Sequence, residues 1–110
     1  MRYRVSLADA KAQLARETTH PFTLLLQHGT MTVEFFAPQR ADTQQPHRQD
    51  ELYIVASGHA MFNRDGERLS CNKGDLLFVP AGMKHHFEQF SNDFAAWVVF
   101  YGADGGEPGR

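Results

Sequence analysis

The stretch from Gly74 to His85, GDLLFVPAGMKH, decides the fold of this chain of 110 residues. Four apolar residues at 76–79 run directly into Pro-Ala-Gly, which is typical of a buried strand that ends in a tight turn. Pro80 fixes one backbone φ angle, and Gly82 tolerates the positive φ that a type II turn can need. The pattern therefore predicts a strand, a turn and a new strand that opens at His85.

Short apolar runs separated by turn residues continue on both sides of this stretch. Asp65-Gly66 lies between two such runs and indicates a hairpin, because both central residues of that turn must tolerate positive φ. Ser6 and Asp9 have the spacing of a capping box and predict one short helix near the N-terminus. An all-β barrel or sandwich is therefore expected, with strands at 22–27, 30–37, 51–56, 61–63, 68–69, 75–79, 84–90 and 94–101.

Composition excludes several kinds of partner and compartment. The 11 basic and 13 acidic residues are well mixed and give a net charge of −2, so no basic surface for nucleic acid or an anionic membrane is predicted. No apolar run approaches the ~20 residues that a membrane helix needs. The single cysteine, Cys71, cannot form an internal disulfide. With no apolar signal segment near the N-terminus, a cytoplasmic location is expected.

Metal-ligand residue types cluster just before the strand predicted at 51–56. In a straight strand, His47 and Glu51 would lie ~13 Å apart at ~3.3 Å per residue, too far to share one ion. A shared ion therefore requires a bend at residues 48–50, which are polar and suit a reversal. Gln45 stands two residues before His47, on the same face of an incoming strand, and its amide oxygen is a candidate fourth ligand.

Strand parity separates the two adjacent histidines of the later stretch. His85, Phe87 and Gln89 share one face of the strand that follows the turn, whereas His86 and Glu88 share the other. Only one of the two histidines can therefore point into the barrel, and His85 is the candidate ligand.

Both stretches resemble the motifs of the cupin family in its small single-barrel form. The first cupin motif has His-x-His, then Glu, then Gly, and the second has Gly, Pro-x-Gly, His and Asn. Both motifs occur here in order and with the proper spacing over residues 45–89. Two glutamines replace family residues, the first His and the final Asn. The matching positions are Gln45, His47, Glu51 and Gly58 for the first motif, and Gly74, Pro80, Gly82, His85 and Gln89 for the second.

The resemblance implies a double-stranded β-helix, or jelly-roll, barrel over residues 21–102. An N-terminal helical segment, 1–20, would pack on the barrel, and residues 103–110 would form a flexible tail. The resemblance also implies a homodimer. The apolar residues Leu52, Ile54 and Ala56 face away from the Glu51 side and need cover from a sheet or from a second chain.

The resemblance further implies one divalent transition metal bound by His47, Glu51 and His85, with Gln45 as the fourth candidate. Two histidines and one carboxylate with open positions are the pattern of non-haem iron oxygenases, although manganese, nickel, zinc and cobalt also accept this set. A degenerate cupin that keeps the residues without the ion is the alternative. For Gln45, the alternative is a side chain that only forms hydrogen bonds.

A small molecule is the expected partner of such a site. Tyr53, Phe87, Gln89 and Met83 are the candidates for lining its pocket, although Tyr53 and Phe87 could equally belong to the core. Dioxygenase, isomerase or lyase chemistry on a small metabolite is the first hypothesis, and a non-catalytic ligand-binding or sensing barrel is the second. No general base is evident beside the three ligands, so no catalytic residue is assigned.

Overall fold

The computed structural model of the chain describes residues 2–109, and Met1 and Arg110 lie outside them. Within this range one helix precedes eight strands, and no helix is long and apolar enough to cross a bilayer. The elements are α1 (Leu7–Ala15), β1 (Phe22–His28), β2 (Met31–Phe36), β3 (Asp50–Ser57), β4 (His59–Arg64), β5 (Glu67–Asn72), β6 (Leu76–Val79), β7 (His85–Glu88) and β8 (Ala95–Tyr101).

The strands form two antiparallel sheets, one of five strands in the order β1-β2-β8-β3-β6 and one of three strands in the order β5-β4-β7. Alternate residues of both sheets point into a shared core rich in aromatic rings, because successive side chains of a strand lie on opposite faces. The predicted jelly-roll barrel with one short N-terminal helix is confirmed. Members of this core include Phe36, Tyr53, Val55, Phe62, Val79, Phe87, Phe94, Val98 and Phe100.

The helix covers the other face of the five-stranded sheet. Ser6 caps it as predicted, since its hydroxyl accepts from the Asp9 amide while the Asp9 carboxylate accepts from the Ser6 amide. Ala10 of the helix is fully buried against Phe35 and Ala56 in a second apolar cluster. Part of the apolar face predicted to need cover is therefore covered by the chain's own helix.

The rest of that outer face stays exposed on β3 and β6. Cross-strand register places Leu52 opposite Phe78 and Ile54 opposite Leu76, so these side chains form one apolar area. The exposed fraction is 40% for Ile54, 63% for Leu76 and 44% for Phe78. This is the face that the sequence predicts to need cover from a sheet or from a second chain, and the homodimer stays a prediction.

The C-terminal segment forms hydrogen bonds with the residues around the start of β3, and its flexibility stays a prediction. The Gly105 amide donates to the Arg48 carbonyl at 2.7 Å, and the Glu107 amide donates to the Asp50 carboxylate at 2.9 Å. The Gln49 side chain donates to the Gly102 carbonyl at 2.9 Å. These contacts fasten residues 102–107 to the chain on either side of the start of β3.

Gly58, the last residue of the first motif, allows a close approach between two segments. Its φ is +71°, and a Cβ built there would lie 2.8 Å from the Cα of Phe94 and 2.4 Å from the Ser91 hydroxyl. We expect Gly58→Ala to cost about 3 kcal/mol or more of unfolding free energy, because a backbone clash adds to the strain of positive φ.

Gly66 provides the matched control for this substitution. Its φ is +92°, but a Cβ there would meet no atom within 4 Å. Gly66→Ala should therefore cost only the backbone strain, about 1–2 kcal/mol. Urea denaturation of both variants measures the difference, and equal losses would refute the close approach as the reason for glycine at position 58.

Candidate metal site

The fold brings three predicted ligands together from separate segments. His47 lies in the loop before β3, Glu51 is the second residue of β3, and His85 is the first residue of β7. Nε2 of His47 lies 3.9 Å from Oε1 of Glu51, and Nε2 of His85 lies 2.9 Å from the same oxygen. We call these residues the His–Glu–His cluster. The bend predicted between His47 and Glu51 is confirmed, since residues 48–49 turn before the strand begins.

Hydrogen bonds lock the two motif segments to each other. The Gly82 amide donates to the His47 carbonyl at 2.8 Å. The buried Asp50 carboxylate accepts from the Ala81 amide at 2.9 Å, in addition to the Glu107 amide. The loop that carries His47 and the turn that leads to His85 are therefore one hydrogen-bonded unit, and the cluster geometry does not depend on side-chain packing alone.

His85 presents a lone pair to the carboxylate. Its Nδ1 lies 2.9 Å from the Met83 carbonyl, which can only accept, so Nδ1 carries a proton. In the neutral ring, Nε2 is then the unprotonated nitrogen, and it faces Oε1 of Glu51. Two lone pairs at this distance need a proton or a cation between them. A hydrogen bond from the other ring nitrogen is also the usual way in which a metal-binding histidine is oriented.

No hydrogen bond within the described part of the chain compensates the cost of burying the Glu51 carboxylate. Its side chain is 1% exposed, and neither oxygen has a hydrogen-bond partner among residues 2–109. An unpaired buried carboxylate is costly. Two ligands at right angles, each about 2.1 Å from an ion, are about 3.0 Å apart, and two on opposite sides are about 4.2 Å apart. The 2.9 Å between His85 and Glu51 matches the first value, and the 3.9 Å between His47 and Glu51 lies between the two. The cluster fits a divalent cation in charge, ligand type and spacing.

The two histidines respond differently to the same carboxylate. Burial lowers the pKa of His47, and the opposing effect of the Glu51 charge does not restore it. Burial also acts to lower the pKa of His85, but the Glu51 carboxylate 2.9 Å away outweighs it and raises that pKa. His47 is therefore biased towards the neutral ligand form, whereas the space between Nε2 of His85 and Glu51 favours a positive charge, which a proton on the ring or a cation can supply.

Gln44, and not Gln45, is the glutamine beside the cluster. Residues 42–47 form no strand, so parity with His47 does not apply, and the predicted orientation of Gln45 is wrong because its side chain is exposed. Oε1 of Gln44 lies 2.9 Å from the Tyr53 hydroxyl and 3.3 Å from Nε2 of His47.

Asp42 fixes this glutamine in place. Its carboxylate accepts from the side-chain amide of Gln44 at 2.6 Å and from the Phe87 backbone amide at 2.8 Å. Sequence reasoning missed both Asp42 and Gln44. Their role depends on an irregular loop that meets β7, and no periodic pattern marks such a contact.

Tyr53 points into the site as well as into the core. Its hydroxyl donates to Gln44 and lies 3.0 Å from Nε2 of His85. Burial, followed by the nearby Glu51 charge, raises the pKa of Tyr53 well above its usual value, so the phenol is neutral and available as a hydrogen-bond donor.

The other pocket candidates lie elsewhere. Phe87 is a core residue, and Met83 packs against that core while its carbonyl orients His85. Gln89 is exposed, because β7 ends at Glu88 and Gln89 has a φ of +49°. The outward orientation predicted for His86 is confirmed, since its Nε2 lies 2.8 Å from Glu88 on the barrel surface.

A cavity of about 340 Å³ adjoins the cluster on the His47 side. Its wall is part apolar and part polar, as is usual for small-molecule sites. It includes a second carboxylate, Glu34, which sequence reasoning missed. The lining residues are Phe22, Thr32, Glu34, Phe36, Gln44, His47, Arg48, Gln49, Tyr53, Val98 and Phe100.

The Tyr53 hydroxyl gives a direct prediction for ligand positioning. We expect Tyr53→Phe to weaken divalent-metal binding about 10-fold, because its hydroxyl holds the Gln44 side chain that lies beside the His47 ligand. Tyr3→Phe is the matched control, because Tyr3 is fully exposed. Competition titration with a metal indicator dye measures both affinities, and an unchanged affinity in Tyr53→Phe would show that the hydroxyl does not position the cluster.

Known proteins with a similar sequence or a similar fold point to one family. The sequence profile of the cupin domain family matches residues 32–101. An uncharacterized protein of Streptomyces coelicolor is 38% identical over 77 residues, which cover 68% of this chain and 73% of that protein. A cupin 2 conserved barrel domain protein from Salinispora arenicola has a structure with a TM-score of 0.69, 21% identity, and coverage of 94% and 90% of the two chains.

An enzyme is also among the similar sequences. The acireductone dioxygenase of Pseudomonas syringae pv. tomato is 30% identical over 99 residues, which cover 76% of this chain and 55% of that enzyme. The chain thus spans about half the length of the dioxygenases it matches. Because the family profile covers well over half of the residues and the fold agrees with it, the chain belongs to the cupin family.

Proposed function

We propose that this protein binds one divalent transition metal through Nε2 of His47, the carboxylate of Glu51 and Nε2 of His85, and that it acts on a small oxygen-rich metabolite in the adjoining cavity. The observation that carries the proposal is the buried Glu51 carboxylate, which has no hydrogen-bond donor and is flanked by two imidazole nitrogens. Iron, manganese, nickel and zinc all accept this ligand set.

Dioxygenase chemistry is the reaction class we propose first. Support comes from the two-histidine, one-carboxylate set and from the similarity to acireductone dioxygenases. A bound divalent ion supplies Lewis acidity towards oxygen atoms of a ligand. The protein supplies the polar contacts of Gln44 and Tyr53 on one side of the cluster and the apolar wall of Phe36 and Phe100, which limits water in the cavity.

Metal analysis tests the first half of this proposal. Protein purified without chelator, or stripped and then reconstituted with each of the four metals, should hold one ion per chain. His85→Ala should lose the ion, whereas His86→Ala, the matched control on the outer face, should keep it. Absence of a stoichiometric ion after reconstitution, or equal retention by both variants, would overturn the site.

Oxygen consumption tests the second half. The metal-loaded protein is supplied with small enediols and hydroxy-ketones in an oxygen electrode, with His85→Ala as the control. Metal-dependent oxygen uptake supports the dioxygenase proposal. Tight binding of one of these compounds without turnover would instead establish a ligand-binding or sensing protein.

A further inference from the structure

A second carboxylate faces the cavity without belonging to the His–Glu–His cluster. Glu34 lies in the middle of β2, where Thr32, Glu34 and Phe36 alternate onto the cavity wall. Its neighbours across the sheet are Leu24 on β1 and Val98 on β8, neither of which can donate a side-chain hydrogen bond. Glu34 is therefore a charged group on an apolar stretch of the wall.

No cation among residues 2–109 forms an ion pair with this carboxylate. Glu34 takes part in none of the ion pairs within residues 2–109. The other titratable or charged groups that face the cavity are His47, Arg48 and Tyr53, with Glu51 beneath them. Because a half-buried carboxylate without a partner is unfavourable, a ligand that donates a hydrogen bond to Glu34 would be favoured in this cavity.

The surroundings of Glu34 also favour uptake of a proton. Burial raises the pKa of Glu34 above its usual value, and the negative charge of Glu51 raises it further. A carboxylate whose pKa is raised towards the working pH is a better proton acceptor than an exposed one. A carboxyl group of this kind in a metal site is suited to exchange a proton with a bound ligand.

We propose that Glu34 is the proton acceptor of this cavity, and that it takes the hydroxyl proton of a small enediol or hydroxy-carbonyl ligand whose oxygens bind at the cluster. The proposal rests on the proposed function above. In this step the O–H bond of the ligand breaks and an O–H bond forms on the Glu34 carboxylate. The electron pair stays on the ligand oxygen, which becomes negatively charged, and no oxidant or reductant takes part.

Size and charge limit the ligand further. A divalent cation at the cluster and the Arg48 side chain would offset the two carboxylates, Glu34 and Glu51, so no large excess charge of either sign surrounds the cavity. A neutral compound with two adjacent oxygens and one acidic hydroxyl fits this balance and is small enough for a cavity of about 340 Å³.

Acetohydroxamic acid is a suitable probe, because it binds divalent cations through two adjacent oxygens and loses one proton in doing so. Calorimetric titration of the zinc-loaded protein in buffers of different ionisation enthalpy gives the number of protons released per probe bound. Wild type should release almost none, because Glu34 takes the proton up, whereas Glu34→Gln should release about one more. Glu67→Gln, which removes an exposed carboxylate, should match wild type.

Equal proton release by wild type and Glu34→Gln would overturn the inference, as would loaded wild type that does not bind the probe. Zinc content is measured first, so a chain that holds no ion refutes the proposed function and this inference together. Carbon-13 NMR of the wild-type glutamate carboxyl groups is the second measurement and needs no variant. The Glu34 signal should move to its protonated position when the probe is added, and a stationary signal would overturn the inference.

Discussion

Glu51→Gln is expected to abolish metal binding and, in the metal-free protein, to increase the free energy of unfolding. The carboxylate is the only anionic ligand of the cluster, so its loss should weaken divalent-metal affinity by at least about 100-fold. The same carboxylate is buried without a hydrogen-bond donor. Above the raised pKa of His85, where the ring is neutral, an amide can donate to its Nε2 and should stabilise the metal-free fold by about 1–3 kcal/mol.

This substitution is informative because it is expected to lower the metal affinity and to raise the free energy of unfolding of the metal-free protein. Competition titration gives the affinity, and urea denaturation in the presence of chelator, at a pH above the pKa of His85, gives the stability. Glu67→Gln is the control, because it removes a carboxylate from the exposed β4–β5 hairpin and should change neither quantity by much. A Glu51→Gln protein that keeps the ion, or that is less stable than wild type without it, would contradict the role assigned to this residue.

Phe87→Ala should produce the largest loss of stability, about 3–5 kcal/mol. Phe87 is 1% exposed, and its ring centroid lies 5.0 Å from that of Tyr53, 5.1 Å from that of Phe62 and 4.8 Å from that of Phe94. A cavity at this position opens in the centre of the barrel. Because the free energy of unfolding of a small domain is only about 5–15 kcal/mol, this substitution would remove a large fraction of it.

Phe87→Leu should leave the chain folded, so this variant can distinguish a core role of Phe87 from a role in the pocket. Its loss should be smaller, about 1–2 kcal/mol, while its affinities for metal and for acetohydroxamic acid should equal those of wild type. Thermal denaturation and calorimetry measure these quantities. A Phe87→Leu protein of wild-type stability with altered probe binding would return Phe87 to the pocket, where the sequence had placed it as one candidate.

Sequence periodicity predicts the inner and outer residues of the barrel only where a regular strand exists. His85 and His86 lie in β7, so alternation assigns the first to the interior and the second to the surface, as the structure shows. Gln45 lies in an irregular loop and Gln89 has positive φ just beyond the strand. At both positions the alternation has no physical basis, and both side chains are exposed.

Glu34 could not be assigned from its own strand for a different reason. Phe35 and Phe36 are adjacent and both buried, so β2 has apolar residues on either face and the pattern does not say which face meets the cavity. The answer depends on α1, which packs with Phe35 in the second apolar cluster and leaves Phe36 for the interior. The residues of α1 lie far from Phe35 in the sequence, so this contact exists only in the folded chain.

Anomalous diffraction from crystals of the metal-loaded protein, recorded at the absorption edge of the bound metal, tests the proposed centre most directly. We predict one peak per chain, about 2.0–2.2 Å from Nε2 of His47, a carboxylate oxygen of Glu51 and Nε2 of His85, and no peak there in crystals of His85→Ala. A fully loaded protein whose peak lies elsewhere, or a peak that persists in His85→Ala, would contradict the assignment of the His–Glu–His cluster as the metal site.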